Sequence, residues 1–99
     1  MSTRTEIDNL IGENKVMVFS KSYCPYCTRA KEAIRAQGVS YHAIELDKIP
    51  NGDKIQEELL SKTGQRTVPN IFVGGTHVGG CDKTLEAIGN GNFQRLLNA

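Results

Sequence analysis

Two cysteines three positions apart, Cys24 and Cys27, are the residues of this sequence best suited to covalent chemistry. Between them, Pro25 suits the first turn of a helix, because its fixed φ is already helical. Cys24 then falls at the helix N-cap, where backbone N–H groups and the helix dipole favour a thiolate over a thiol. Lys21 adds a positive charge nearby. The thiolate is the attacking species in disulfide exchange, so the spacing predicts that Cys24 is a nucleophile and that Cys27 can close a disulfide with it.

A zinc site is the alternative use of a C-x-x-C pair. It would need a second pair of ligands, and the chain offers only Cys81, His42 and His77 for this purpose. His77 lies four residues before Cys81, which is a possible ligand spacing, but the sequence has no second C-x-x-C. An inert buried pair is disfavoured by Pro25 and by the predicted strand-to-helix position. The pattern therefore favours redox chemistry, and we expect no bound metal.

Composition narrows the class of protein. Ninety-nine residues suit a single domain, 1–99, and a hydrophobic content of 38% is typical of a globular protein. A net charge of +1 gives no general attraction to nucleic acid or to a membrane surface, and the longest apolar stretch, Val16 to Phe19, is too short to span a bilayer. The first residues lack the apolar core of a secretory signal. We therefore expect a cytoplasmic, monomeric protein, although an organellar form left by processing stays open.

Hydrophobic spacing predicts the elements that position the two cysteines. A helix from Thr3 to Glu13 would begin with a Thr3-x-x-Glu6 capping box. A buried strand, 16–20, leads to Cys24, and the helix after it ends at Gly38. The other predicted elements are a strand at 41–46, a helix capped by Asn51 and ended by Gly64, a hairpin of 70–73 and 76–79 around Gly74-Gly75, and a last helix carrying Leu85 and Ile88, broken at 89–92 before a short tail.

The order of these elements predicts an α/β fold. The helix between the first two strands makes a crossover connection, which places those strands parallel. The hairpin then adds antiparallel strands. We expect a four-stranded mixed sheet with helices on both faces, with Met17 and Phe19 in the core and His42 at the surface.

Three segments of the chain together resemble the dithiol glutaredoxins, a family of the thioredoxin-fold superfamily. They are Cys24-Pro25-Tyr26-Cys27, Thr67-Val68-Pro69 and Gly79-Gly80-Cys81-Asp82, in the family's order and at its separations. Thioredoxins typically carry Trp-Cys-Gly-Pro-Cys, and this chain has no Trp. The resemblance implies a thioredoxin-like fold and a glutathione-dependent thiol–disulfide oxidoreductase. Its partners would be glutathione, glutathionylated or disulfide-bonded client proteins and, indirectly, the glutathione reductase system, with glutathione as a consumed substrate and no tightly bound cofactor.

The resemblance also implies where glutathione binds. The Thr67-Val68-Pro69 segment, with Pro69 in cis, would pair through Val68 with the cysteine backbone of glutathione, like a short added strand. The backbone N–H groups of Cys81 and Asp82 would hold the γ-glutamyl carboxylate at a helix N-terminus, and the Asp82 carboxylate would face the γ-glutamyl amine. Lys83 departs from the Asp, Ser or Leu usual in the family. The remaining implied contacts are Lys21, Gln56 and Arg66 at the glycine carboxylate and Tyr26 beside the glutathione sulfur.

A second function known among glutaredoxin relatives is to carry an iron–sulfur cluster. Some relatives hold a [2Fe–2S] cluster between two protomers, using the first active-site cysteine and two glutathiones, which suits the softness of thiolate ligands. Those relatives usually have Gly-Phe or Ser in the tetrapeptide. Pro25 stiffens this loop, so the sequence favours the oxidoreductase over the cluster carrier.

Overall fold

The computed structural model describes residues 2–99, built around a four-stranded mixed sheet of order β2-β1-β3-β4. The strands are β1 (Val16–Ser20), β2 (His42–Glu45), β3 (Asn70–Val73) and β4 (Thr76–Gly79). β1 runs parallel to β2 and antiparallel to β3, and β3 and β4 form the hairpin. The predicted crossover and mixed sheet are therefore confirmed.

Helices cover both faces of this sheet. Successive side chains of β1 point to opposite faces, so Val16 and Val18 lie in one hydrophobic cluster, and Met17 and Phe19 lie in the other. The helices are α1 (Thr3–Glu13), α2 (Pro25–Ala36), α3 (Gly52–Thr63), α4 (Cys81–Gly89) and α5 (Asn92–Leu97). The first cluster is completed by side chains of α2, α4 and α5, and the second by side chains of α1 and α3. No helix within residues 2–99 is long and apolar enough to cross a membrane.

The start of α1 differs from the predicted capping box. Ser2 is the N-cap residue, and its Oγ accepts a hydrogen bond from the Thr5 N–H at 3.2 Å. Thr3 is already helical, so the Thr3-x-x-Glu6 box is wrong. Ser and Thr both cap well, and the residue that caps is the one left in extended geometry. The Glu6 carboxylate instead accepts a hydrogen bond from Asn51 Nδ2 at 3.2 Å.

The second strand is shorter than predicted, because Leu46 leaves the sheet to begin a 3₁₀ turn, Leu46–Lys48. The Leu46 side chain is buried among α1 and α3, and the first residue of α3, Gly52, lies against the Leu46 backbone. A Cβ at Gly52 would be 1.8 Å from the Leu46 carbonyl oxygen, so this turn accepts only glycine there. Asn51 does occupy the predicted N-cap position, but its side chain makes no capping hydrogen bond.

The predicted tail is a helix, α5. Phe93 and Leu96 are both buried in the cluster with α2 and α4. Their spacing of three residues is a helical spacing, which holds one apolar face toward the sheet. The predicted break at 89–92 is shorter in the structure, where only Asn90 and Gly91 separate α4 from α5. Gly91 has a φ of +86°, which favours glycine.

Candidate active site

Cys24 occupies the N-cap of α2, as the sequence predicts. Its Sγ accepts a hydrogen bond from the Cys27 N–H at 3.1 Å, and its own N–H donates to the Lys21 carbonyl oxygen at 3.2 Å as the chain turns out of β1. The sulfur thus takes the place that a Ser or Asp oxygen usually fills at a helix N-cap. An N–H donor and the positive end of the helix dipole both favour negative charge on that sulfur. This placement suits a nucleophilic thiolate.

Cys27 lies one turn inside α2 and is fully buried. Burial, followed by the hydrogen bond with Cys24, raises the pKa of Cys27 to about 11, although the Lys21 backbone and the Ser20 side chain act in the opposite direction. Cys27 is therefore a thiol at neutral pH. Both cysteines are free in this structure, so one turn of helix holds an accessible sulfur and a buried sulfur side by side.

The loop before β3 lies next to Cys24. The Val68–Pro69 peptide bond is cis, as the family resemblance implies, and Cys24 Sγ lies 3.8 Å from the Val68 carbonyl oxygen, to which its thiol donates. Gln65 holds this loop, since its Nε2 donates to the carbonyl oxygens of Thr67 at 3.0 Å and Pro69 at 2.9 Å. Sequence reasoning missed Gln65, because no spacing rule marks a glutamine that binds backbone across a loop.

An open cleft joins this loop to the start of α4. Gly80 is the N-cap residue and has no side chain to cap the helix, so the first N–H groups of α4 receive no side-chain hydrogen bond from it. A Cβ on Gly80 would be 3.6 Å from the Pro69 carbonyl oxygen, which shows how closely the two segments approach. The residues that line the cleft are Tyr26, Thr67, Val68, Pro69, Gly80, Cys81, Asp82 and Lys83.

Six predicted glutathione contacts are thus brought together, and three others lie outside the lining of the cleft. Lys21 is in the turn that precedes Cys24. Gln56 and Arg66 lie beside each other, because Gln56 Nε2 donates to the Arg66 carbonyl oxygen at 2.8 Å. Since Arg66 directly precedes Thr67, this pair lies at the α3 side of the cis-proline loop.

The turn before Cys24 is tied to the residues that follow β2. The Ser22 N–H donates to Asp47 Oδ1 at 2.9 Å, and the Ser22 hydroxyl donates to Asp47 Oδ2. These bonds, first that of the hydroxyl and then that of the N–H, lower the pKa of the Asp47 carboxyl. Neither residue was singled out from the sequence, because they are 25 positions apart and meet only when β1 and β2 pair.

A second group of polar contacts joins β1, β2 and α2. Ser20, at the end of β1, is fully buried, and its Oγ donates to Glu45 Oε1 at 2.8 Å. Glu45 Oε2 forms an ion pair with Lys31 Nζ of α2 at 2.7 Å. The strand register places Ser20 directly beside Glu45. Sequence reasoning missed this cluster as well, since it depends on the pairing of distant strands.

Cys81 does not share the setting of Cys24, although both open a helix. It is only 5% exposed, and burial raises the pKa of its thiol. Within residues 2–99, no three His, Cys, Asp or Glu side chains are grouped so that they could hold a metal ion. His42 is exposed, as predicted, and His77 Nε2 makes a 2.9 Å hydrogen bond with Asn70 Oδ1.

Known proteins are similar to this chain in sequence and in fold. A family model described as "Glutaredoxin" matches residues 16–78. A "Glutaredoxin" of Ricinus communis is 47% identical over 93 residues, covering 94% of this chain and 91% of that protein. "Glutaredoxin-C2" of Arabidopsis thaliana is 48% identical over 88 residues, covering 89% of this chain and 79% of that protein.

A solved structure agrees with these relatives. The crystal structure of a buckwheat glutaredoxin–glutathione complex superposes with a TM-score of 0.93 at 45% identity, covering 97% of this chain and 87% of that one. The mixed sheet and its helices therefore form a thioredoxin-like fold. With the cysteine pair at the start of α2, the chain belongs to the glutaredoxin family, whose members are glutathione-dependent oxidoreductases.

Proposed function

We propose that this protein reduces protein–glutathione mixed disulfides and protein disulfides, with Cys24 as the nucleophile and Cys27 as the resolving thiol. The observation that carries the proposal is the N-cap position of Cys24, whose Sγ accepts the Cys27 N–H at 3.1 Å. A sulfur placed there is stabilised as the attacking thiolate, and the half-buried side chain stays within reach of a substrate.

The one-thiol route uses Cys24 alone. Its thiolate attacks the glutathione sulfur of a mixed disulfide, and the client sulfur leaves as a thiolate that takes a proton from solvent. Cys24 then carries glutathione in a disulfide bond. A second glutathione, as its thiolate, attacks the glutathione sulfur of that bond, which releases oxidised glutathione and restores the Cys24 thiolate. Glutathione is the reductant, and no tightly held cofactor is required.

The two-thiol route adds Cys27. Cys24 attacks a client disulfide and becomes joined to one client sulfur, while the other client sulfur leaves as a thiolate. Cys27 loses its proton and attacks Cys24 Sγ, which expels the second client sulfur and leaves a Cys24–Cys27 disulfide. Two glutathiones then reduce this bond in turn and leave as oxidised glutathione.

Glutathione would bind in the cleft beside Cys24. Val68 offers its backbone to the cysteine residue of glutathione, in the manner of an added strand. The N–H groups of Cys81 and Asp82 at the start of α4 receive the γ-glutamyl carboxylate, a role that uses the backbone of Cys81 and not its buried sulfur. The Asp82 carboxylate meets the γ-glutamyl amine, and Tyr26 flanks the glutathione sulfur.

The glycine end of glutathione would lie over the cis-proline loop. Its carboxylate needs cations or donors, and Lys21, Gln56 and Arg66 supply them. The contact between Gln56 and the Arg66 backbone supports this assignment, because it holds the Gln56 amide beside the segment that leads into Thr67. Thr67 and Pro69 complete the wall behind the ligand.

Clients, assembly and compartment form the last part of the proposal. The clients are proteins with glutathionylated or disulfide-bonded cysteines, the enzyme acts as a monomer, and it works in the cytoplasm, where a glutathione pool keeps thiols reduced. Light scattering of the purified protein would test the monomer, and fractionation of cells with an antibody would test the compartment.

The decisive assay measures glutathione-dependent reduction of a small glutathione mixed disulfide. The oxidised glutathione formed is re-reduced by added glutathione reductase, and the consumption of NADPH reports the rate. We expect turnover that depends on both glutathione and the mixed disulfide. Absence of turnover above the uncatalysed rate, with a folded protein, would contradict the proposed function.

A further inference from the structure

The Gln65 side chain lies against both walls of the cleft, which are the cis-proline loop and the start of α4. In the loop, Gln65 Nε2 donates to the carbonyl oxygens of Thr67 at 3.0 Å and Pro69 at 2.9 Å. On the other wall, a Cβ on Gly79 would be 3.7 Å from Gln65 Oε1, and a Cβ on Gly80 would be 3.9 Å from Nε2. One amide group therefore adjoins the two segments that line the cleft.

The position of this amide is well defined. Carbonyl oxygens only accept hydrogen bonds, so the nitrogen of the Gln65 amide faces them and both of its protons are used. At the other end of the residue, the Gln65 N–H donates to Thr63 Oγ1 at 3.0 Å, and Thr63 Oγ1 donates to the Leu59 carbonyl oxygen at 2.7 Å. Gln65 is thus anchored to the last turn of α3 while its side chain holds the loop.

This anchoring fixes the direction of the Val68 backbone. The Thr67 carbonyl and the Val68 N–H belong to one planar trans peptide group, so the N–H points away from Gln65 when the oxygen points toward it. Within residues 2–99, the Val68 N–H makes no backbone hydrogen bond, and the Val68 carbonyl oxygen accepts only from the Cys24 thiol, at 3.8 Å. That last contact is lost when Cys24 is a thiolate. Val68 then has both backbone groups available for a ligand.

We propose that Gln65 sets the affinity of the cleft for glutathione, by holding Val68 and the start of α4 at the spacing that one glutathione molecule spans. The inference rests on the glutathione site proposed above, in which Val68 pairs with the cysteine residue of glutathione and the N–H groups of Cys81 and Asp82 receive the γ-glutamyl carboxylate. One ligand makes both contacts at full strength only when the walls are held in place beforehand. Gln65 does not line the cleft itself, so it is a positioning residue.

The test measures binding of S-methylglutathione, an analogue without a thiol that cannot form a disulfide with Cys24. It is titrated into reduced, isotope-labelled protein at neutral pH, and the shifts of backbone amide NMR signals give the dissociation constant. Gln65→Met keeps the length of the side chain without a donor. Gln65→Glu keeps its shape, but the carboxylate only accepts. Gln94→Glu, exposed on α5 and outside the lining of the cleft, adds the same charge and is the matched control.

We expect Gln65→Met and Gln65→Glu each to weaken binding about tenfold, as the loss of two hydrogen bonds implies, and Gln94→Glu to match wild type. The same spectra show whether each variant is folded. Wild-type affinity in Gln65→Met would overturn the proposal. A loss confined to Gln65→Glu would overturn it too, because that result would mark repulsion between the new charge and the carboxylates of the ligand.

A double-mutant cycle with Asp82→Asn tests the spacing itself. Asp82→Asn removes the carboxylate that faces the γ-glutamyl amine on the α4 wall. Its effect on affinity should be smaller in either Gln65 variant than in wild type, because the walls are no longer held for one ligand. Running the cycle with both variants keeps the test valid if one of them does not fold. An equal effect of Asp82→Asn in all backgrounds would show that Gln65 does not couple the walls and would overturn the proposal. Failure of the wild-type protein to bind S-methylglutathione in the cleft would instead refute the proposed glutathione site, a result that is distinct from normal binding in the variants.

Discussion

Cys24 and Cys27 are the same residue type on one turn of helix, yet their surroundings give them opposite chemistry. Cys24 Sγ accepts an N–H at 3.1 Å and lies 3.8 Å from the Val68 carbonyl oxygen of the cis-proline loop. Cys27 is fully buried, and burial raises the pKa of its thiol to about 11. The three-residue spacing, which the sequence shows, permits the disulfide. The proposed order of attack, Cys24 before Cys27, rests on their positions on the helix, which Pro25 already indicates in the sequence.

Replacing the nucleophile should remove the activity. In Cys24→Ser, no other sulfur within residues 2–99 lies at a helix N-cap, and a serine hydroxyl is a far weaker nucleophile at neutral pH. We expect less than about a tenth of wild-type turnover in the coupled glutathione assay. Retention of a larger rate by a folded variant would show that Cys24 is not the nucleophile.

Replacing the resolving thiol should separate the two routes. Cys27→Ser should keep reduction of a small glutathione mixed disulfide and lose reduction of a protein disulfide, because the second sulfur is needed only to expel a bound client. Both rates are measured on the same preparation, with insulin-type disulfide reduction as the second assay. Equal loss of both activities would mean that the one-thiol route does not operate in this chain.

At the scale of elements, much of the molecule follows from local sequence rules. Pro25 marks the start of α2 and thereby the position of Cys24, and glycines mark the ends of α2 and α3. The N-cap of α1 is Ser2, one position before the predicted Thr3, because both residue types can cap a helix and the backbone geometry decides between them. Gln65 and the Ser20–Glu45 pair were not predictable, because their partners come from segments that the strand pairing brings together.

The hydrogen bonds between Ser22 and Asp47 make the turn before Cys24 sensitive to acid. The Ser22 bonds lower the pKa of Asp47, so the carboxylate stabilises the folded state fully above the pKa of an unfolded aspartate, about 3.9. That contribution is lost as the pH falls through the lower, folded value. Asp47→Asn should therefore lower Tm at neutral pH, and the difference from wild type should shrink at strongly acidic pH. Thermal melts across this range check it, with Glu57→Gln as a surface control. A difference that grows in acid would contradict the assignment.

At the scale of the whole molecule, the question is whether two copies of the chain hold an iron–sulfur cluster between them. Pro25 occupies the first helical position beside Cys24, and its ring stiffens the segment that would have to open around iron. We expect that anaerobic reconstitution with iron, sulfide and glutathione leaves the protein colourless and monomeric. Absorption spectra and size-exclusion chromatography on the same sample test both points. A coloured dimer that needs glutathione would instead support the cluster-carrier function.

The unequal burial of the three cysteines gives the protein a built-in reporter of its folded state. All three thiols are free, but only Cys24 is within reach of solvent, since Cys27 and Cys81 are buried. An alkylating reagent added briefly at neutral pH should therefore modify one site in the native protein and three after denaturation. The number of labels per chain counts folded molecules directly, without a spectroscopic probe, in a sequence that has no tryptophan to provide one.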